Sequence, residues 1–141
     1  MPDNPGIDAP ALLHDLGVDG EPEPLTGGYW NAVYRVGGDR VAKIYAEQPG
    51  WHLFPILPDA EARALLALRG RRVAPEFVAF HPRVGERPAV LVYEWLEGAE
   101  WETDTAAVGA LLRRQHDVAV DGFREVPTGS DGILEQGERL L

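Results

Sequence analysis

One lysine, two glycines and a glutamate carry the chemical interest of this sequence. Lys43 sits in Arg40-Val41-Ala42-Lys43-Ile44-Tyr45, a run dominated by strand formers. Gly27-Gly28 lies upstream, and a glycine pair allows a tight turn and a close approach of backbone to ligand. A glycine turn over a sheet, with a lysine on an inner strand, can hold the phosphates of a nucleotide. The glycine backbone lies against them and the ammonium neutralises their charge. Glu61 falls in the first turn of the next predicted helix. The helix dipole alone favours an acidic residue there; the chemical reading is an ion pair with Lys43 that holds the lysine in position for phosphate. A Gly-Gly hairpin is commonly only a hairpin, so the glycines gain weight from the elements around them.

Those elements can be read in order. Leu25 to Tyr45 predicts strand, glycine turn, strand, glycine turn, strand. Gly37-Gly38-Asp39 is the stronger turn signal, because hairpin turns need backbone conformations that Gly and Asp tolerate. Upstream, Ala11 to Leu16 predicts a short helix ended by Gly17, with Leu12, Leu13 and Leu16 on one face to dock on the sheet. Glu21-Pro22-Glu23-Pro24 reads as a connector, since prolines at that spacing suit neither a helix nor a central strand. Ala46 to Pro58 holds Trp51, Leu53, Phe54, Ile56 and Leu57 between prolines, and packs either on itself or against another part of the protein.

Asp59 to Leu68 predicts a helix capped by Asp59, with Ala60, Ala64, Leu65 and Leu68 on the apolar repeat and Gly70 at its end. Val73 to Phe80 predicts a strand entered through Pro75. Ala89 to Tyr93 predicts a central, doubly buried strand that exits into Glu94-Trp95-Leu96-Glu97-Gly98. Five strands with one helix inserted after the third make an α+β lobe. A further helix is expected over Asp104 to Asp117, with Ala107, Leu111, Leu112 and Gln115 on one face. After a loop, Ile133, Leu134, Gly137, Leu140 and Leu141 form another helical seam, on which the sequence stops without a capping residue.

A length of 141 residues suits one domain or part of a larger one, and 45% hydrophobic residues suffice for a core. No apolar run approaches the ~18 residues of a membrane helix, and Met-Pro-Asp-Asn-Pro-Gly lacks the regions of a signal peptide. With no cysteine there is no disulfide or thiolate chemistry. A cytoplasmic location is the default expectation. The net charge of −10 and pI of about 4.7 argue against non-specific nucleic-acid binding. They leave room for a nucleotide, because one lysine and a Mg²⁺ can reverse the field locally. His14, His52, His81 and His116 have no metal-ligand spacing.

The order of these pieces resembles the amino-terminal lobe of the aminoglycoside phosphotransferase and choline kinase-like enzymes, which share the protein-kinase fold. The resemblance rests on Gly27-Gly28-x-x-Asn31-x-Val33-Tyr34-Arg35-Val36, Val41-Ala42-Lys43-Ile44-Tyr45, Glu61-Ala62-Arg63-Ala64-Leu65, Val73-Ala74-Pro75-Glu76, Leu91 to Gly98, and Leu111-Leu112-x-x-x-His116. It covers about residues 25–116. It implies a five-stranded antiparallel sheet with one inserted helix and ATP or GTP with Mg²⁺ as cofactor. Gly27, Gly28 and Asn31 would lie over the phosphates, Lys43 would contact them, and Glu61 would pair with Lys43. Tyr93 would line the back of the adenine pocket, and the backbone of Glu94 and Leu96 would hydrogen-bond the base. His116 would close a helix of the second lobe, where a structural histidine is the plainer reading. The implied organisation is an extension over 1–24, a nucleotide-binding lobe and hinge over 25–98, and the start of a helical second lobe over 99–141.

The sequence departs from the family in one decisive respect. The family's catalytic loop is His-x-Asp-x-x-x-x-Asn followed by a metal-binding Asp. Here the only asparagines are Asn4 and Asn31. The expectation is therefore the first half of a small-molecule kinase, cut before its active loop and inactive by itself. It would serve transfer of a γ-phosphoryl to a substrate hydroxyl once base and metal ligands are supplied. A non-catalytic nucleotide- or protein-binding module, or a truncated remnant, are the alternatives.

Overall fold

The computed structural model describes residues 7–26, 31–45, 56–98 and 102–121. In chain order these form α1 (Ala9–Asp15), β1 (Pro22–Pro24), β2 (Asn31–Val36), β3 (Arg40–Tyr45), α2 (Pro58–Leu68), β4 (Phe77–His81), β5 (Val90–Glu94) and α3 (Thr105–His116). The strands make one open antiparallel sheet in the order β1-β2-β3-β5-β4. This is the expected α+β arrangement, with α2 inserted after the hairpin of β2 and β3. That hairpin turns where the glycines predict it: Val36 pairs with Arg40, and Gly37 and Gly38 both take positive φ, at 62° and 87°.

Pro22–Pro24 is a strand and not a connector. It lies on the sheet edge, where proline is tolerated. The Leu25 amide donates to the Val33 carbonyl at 2.8 Å. Alternation then turns the amide of Glu23 toward β2 and the two proline nitrogens toward the open edge, so neither proline removes a ladder bond. Prolines on that edge also block pairing with another chain.

Two apolar clusters cover the two faces. On one, Ala9, Leu13 and Val18 pack against Val36, Ala42, Ile44, Val90 and Val92. Helix α1 thus docks on the sheet as predicted, with Asp8 accepting the Ala11 amide at its N-terminus and Gly17 at positive φ beyond its end. On the other face, Ala62 of α2 packs with Tyr45, Ala89 and Leu91, bordered by Leu65, Phe77 and Phe80.

Helix α2 differs from expectation at its start. It begins at Pro58, with Leu57 as the N-cap and no side-chain cap, so Asp59 lies inside the first turn. Pro58 suits that position because its missing N–H would be unpaired there anyway. Its buried residue is Ala62, which the predicted repeat of Ala60, Ala64, Leu65 and Leu68 leaves out.

Strand β4 starts at Phe77, four residues later than the predicted Val73. The register of β4 on β5 shifts between Phe77 and Ala79. That bulge shifts the phase by one residue, so both Phe77 and Phe80 meet the α2 cluster while Ala79 meets the α1 cluster.

Helix α3 is capped by Asp104, which accepts the Ala107 amide at 2.9 Å. Of its predicted apolar face, Gln115 is the inward residue and donates to the Val73 carbonyl at 2.7 Å. Arg114 donates to the carbonyls of Arg71 and Arg72. Leu111 and Leu112 stay 39% and 47% exposed. The apolar residues Trp51 to Phe54 and the seam from Ile133 to Leu141 lie outside the described residues. No helix among the described residues is long and apolar enough to cross a membrane.

Candidate functional site

Lys43 lies on the middle strand. Val33 of β2 and Leu91 of β5 stand directly opposite it on either side. Alternation along β3 puts Val41, Lys43 and Tyr45 on one face and Ala42 and Ile44 on the other. The register carries the Lys43 face across three strands: Asn31, Val33 and Arg35, then Val41, Lys43 and Tyr45, then Leu91 and Tyr93. This is the face α2 covers, so the first turn of α2 brings Glu61 to Lys43.

Lys43 Nζ donates to both carboxylate oxygens of Glu61 at 2.8 Å. The lysine side chain is 21% exposed and the glutamate 40%. The Tyr45 hydroxyl donates to Glu61 Oε2 at 2.7 Å, and Lys43 Nζ lies 5.1 Å from the Tyr45 ring centroid. Burial pushes the Tyr45 phenol far above the ordinary tyrosine range, and its hydrogen bond to Glu61 adds to this. Burial, and then the Glu61 charge, also push Tyr93 up. Both phenols therefore stay neutral donors at physiological pH.

An ammonium has three N–H donors, and the bidentate pair uses two. Among the described residues the third has no partner, and it can meet an anion. Lys43 is also the only lysine among the chain's 13 lysines and arginines. An ammonium is a compact charge on a flexible stem, and arginine's planar fork does not replace it. That count was available in the sequence as a pointer to this position. Tyr45, by contrast, read only as a strand former.

Asn31 opens β2 directly opposite Tyr45, and its Oδ1 is buried with no hydrogen-bond partner among the described residues. Gly27 and Gly28 lie outside the described residues. Tyr93 shares the Lys43 face. The Glu94 amide is committed to the Glu76 carbonyl at 2.9 Å, so only its carbonyl remains for a ligand. The Leu96 side chain is exposed, and its N–H makes no hydrogen bond among the described residues. His116 ends α3 on the surface, with no part in the Lys43 cluster.

A set of contacts fixes the chain after β5. Arg35 donates to the Gly38 carbonyl and to Glu97 Oε1 at 2.8 Å, and its guanidinium lies 4.5 Å from the Trp95 ring centroid. Trp95 Nε1 donates to the same Glu97 oxygen at 2.7 Å, and the Trp95 amide to the Asp39 carbonyl at 2.9 Å. The β2–β3 turn is thereby tied to residues 95–97.

Elsewhere, a groove of about 330 Å³ between α2 and β4 is lined by Asp59, Ala62, Arg63, Leu66, Phe77 and Phe80. It shares no lining residue with the Lys43 cluster. Among the described residues no group of three His, Asp or Glu side chains is placed to hold a metal ion. No family model, curated protein or solved structure matches this chain.

Proposed function

We propose that this chain is the nucleotide-binding portion of a small-molecule phosphotransferase of the aminoglycoside phosphotransferase and choline kinase-like type, taking ATP or GTP. One observation carries the reading: a part-buried lysine on the central strand, held by both oxygens of a glutamate in the first turn of the covering helix. Phosphoryl transfer depends mainly on positioning and charge stabilisation, and such a pair supplies a fixed cation for phosphate oxygens. In this reading Lys43 binds phosphate through its remaining N–H and Glu61 orients it. Toward phosphates, which only accept, Asn31 would offer its amide N–H groups rather than its buried Oδ1. Tyr93 walls the base on the side of the sheet, and the Glu94 carbonyl and Leu96 N–H meet its edge. Mg²⁺ would neutralise the phosphate charge, with its ligands coming from outside the residues described. The sequence holds no His-x-Asp-x-x-x-x-Asn segment, so this chain by itself binds without turnover.

The test is a calorimetric titration of the chain with ATP and GTP in the presence of Mg²⁺. Lys43→Ala should weaken the preferred nucleotide roughly 10- to 100-fold, as expected for losing a charge-assisted hydrogen bond. Wild-type affinity in that variant, or no binding of either nucleotide to the wild type, would overturn the reading. A second reading, a binding module for a partner protein, draws on the apolar α2–β4 groove and on exposed Leu111 and Leu112. It predicts a partner-dependent change in α3 and no nucleotide response.

A further inference from the structure

Tyr45 is almost wholly buried, at 2% exposure, yet its hydroxyl has a use that packing does not require. Lys43 and Tyr45 are two residues apart on one strand face, so both side chains reach toward α2. Glu61 is the point where they meet. Its Oε1 takes one bond from Lys43, and its Oε2 takes one from Lys43 and one from Tyr45. A glutamate in a first helical turn, two-fifths exposed, has other rotamers open to it in which the carboxylate faces water. The phenol opposes this with a hydrogen bond to the charged oxygen, and such bonds are roughly twice as strong as neutral ones. The apolar contacts of α2 run to Tyr45, Ala89 and Leu91 through Ala62, so they fix the helix but not the Glu61 side chain.

We propose that Tyr45 is a positioning residue of the nucleotide site, its hydroxyl holding the Glu61 carboxylate in the orientation that grips Lys43 bidentately and leaves one ammonium N–H for phosphate. This rests on the nucleotide reading above. It adds a third member to the pair and makes Tyr45 matter for the phosphates rather than for the base.

The experiment uses the full chain and two readouts. Tyr45→Phe keeps the ring and its packing and removes only the hydroxyl. The first readout is affinity for ATP and for adenosine. The expected result is about a fivefold to tenfold loss for ATP with adenosine unchanged, and no further loss when Tyr45→Phe is added to Glu61→Ala. Equal losses for ATP and adenosine, or additive effects with Glu61→Ala, would mean that Tyr45 acts only through the fold. The second readout needs no nucleotide. Lysine labelled with ¹⁵N gives a single side-chain ammonium signal, because the chain has one lysine. Its hydrogen exchange should quicken several-fold in Tyr45→Phe, and an unchanged signal would overturn the proposal. Failure of the nucleotide reading shows separately, as a wild type that binds neither ATP nor GTP while the ammonium signal still responds to Tyr45→Phe; the positioning of Lys43 then stands and its assignment to a nucleotide falls.

Discussion

Breaking the Lys43–Glu61 pair from either side should have unequal consequences. Two unit charges 2.8 Å apart attract by about 1.5 kcal/mol in bulk water and by about 6 kcal/mol at an effective dielectric of 20. Glu61 is 40% exposed, which moves the pair toward the screened limit, and the cost of desolvating Lys43 offsets part of the remainder. A coupling of about 1–2 kcal/mol is expected. Glu61→Gln leaves an ammonium that is 21% exposed without its counter-charge. Lys43→Met leaves a carboxylate that is more exposed and still receives the Tyr45 hydroxyl. The glutamine variant should therefore lose more, about 2 kcal/mol against about 1 for the methionine variant. Urea denaturation of the wild type, both single variants and the double variant closes the cycle. A coupling under about 0.3 kcal/mol, or a larger loss in Lys43→Met, would refute the reasoning, because the pair would then behave as an ordinary surface ion pair.

Three further outcomes are expected. Tyr45 and Tyr93 have folded-state pKa values above the ordinary tyrosine value near 10. Their contribution is complete below about pH 10 and is lost above it, as the unfolded chain releases protons that the fold retains, with a limiting slope of about 1.4 kcal/mol per pH unit for each. Urea midpoints between pH 9 and 11 should show this, and a slope no smaller in Tyr45→Phe would contradict it. His81 is pushed below the ordinary histidine value by burial and then by Arg87, so its NMR titration midpoint should fall under about 6.5, with stability declining as pH drops through that range. Gly20 has φ of 125°, and a Cβ there would lie 2.6 Å from the Gly37 backbone nitrogen, whereas a Cβ on Gly38, at φ 87°, meets open space. Gly20→Ala should cost about 2 kcal/mol or more and Gly38→Ala about 1 kcal/mol; equal urea midpoints would speak against the close approach.

Much of the lobe is written in local pattern. The β2–β3 hairpin follows from Gly37-Gly38 between strand formers, and α1, α2 and α3 from apolar periodicity, because these preferences act over a few residues. The pairing of Lys43 with Glu61 was also legible, once one strand and one helix had been recognised as neighbours.

The remainder depended on which elements meet. Pro22-Glu23-Pro24 becomes a strand only because it falls on an edge, and an edge exists only once the strand order is set. Phe77 and Phe80 face one helix because a bulge changes the phase of β4, which no alternation within the sequence reveals. Ala62, and not its larger neighbours, is the buried residue of α2, because it is the one that packs with Tyr45, Ala89 and Leu91 of the sheet side. Tyr45 is a strand former by composition, and a ligand of the Glu61 carboxylate only because α2 sets its first turn over β3. Periodicity tells a residue which side of its own element it takes. What waits on that side is decided by packing between elements far apart in the chain.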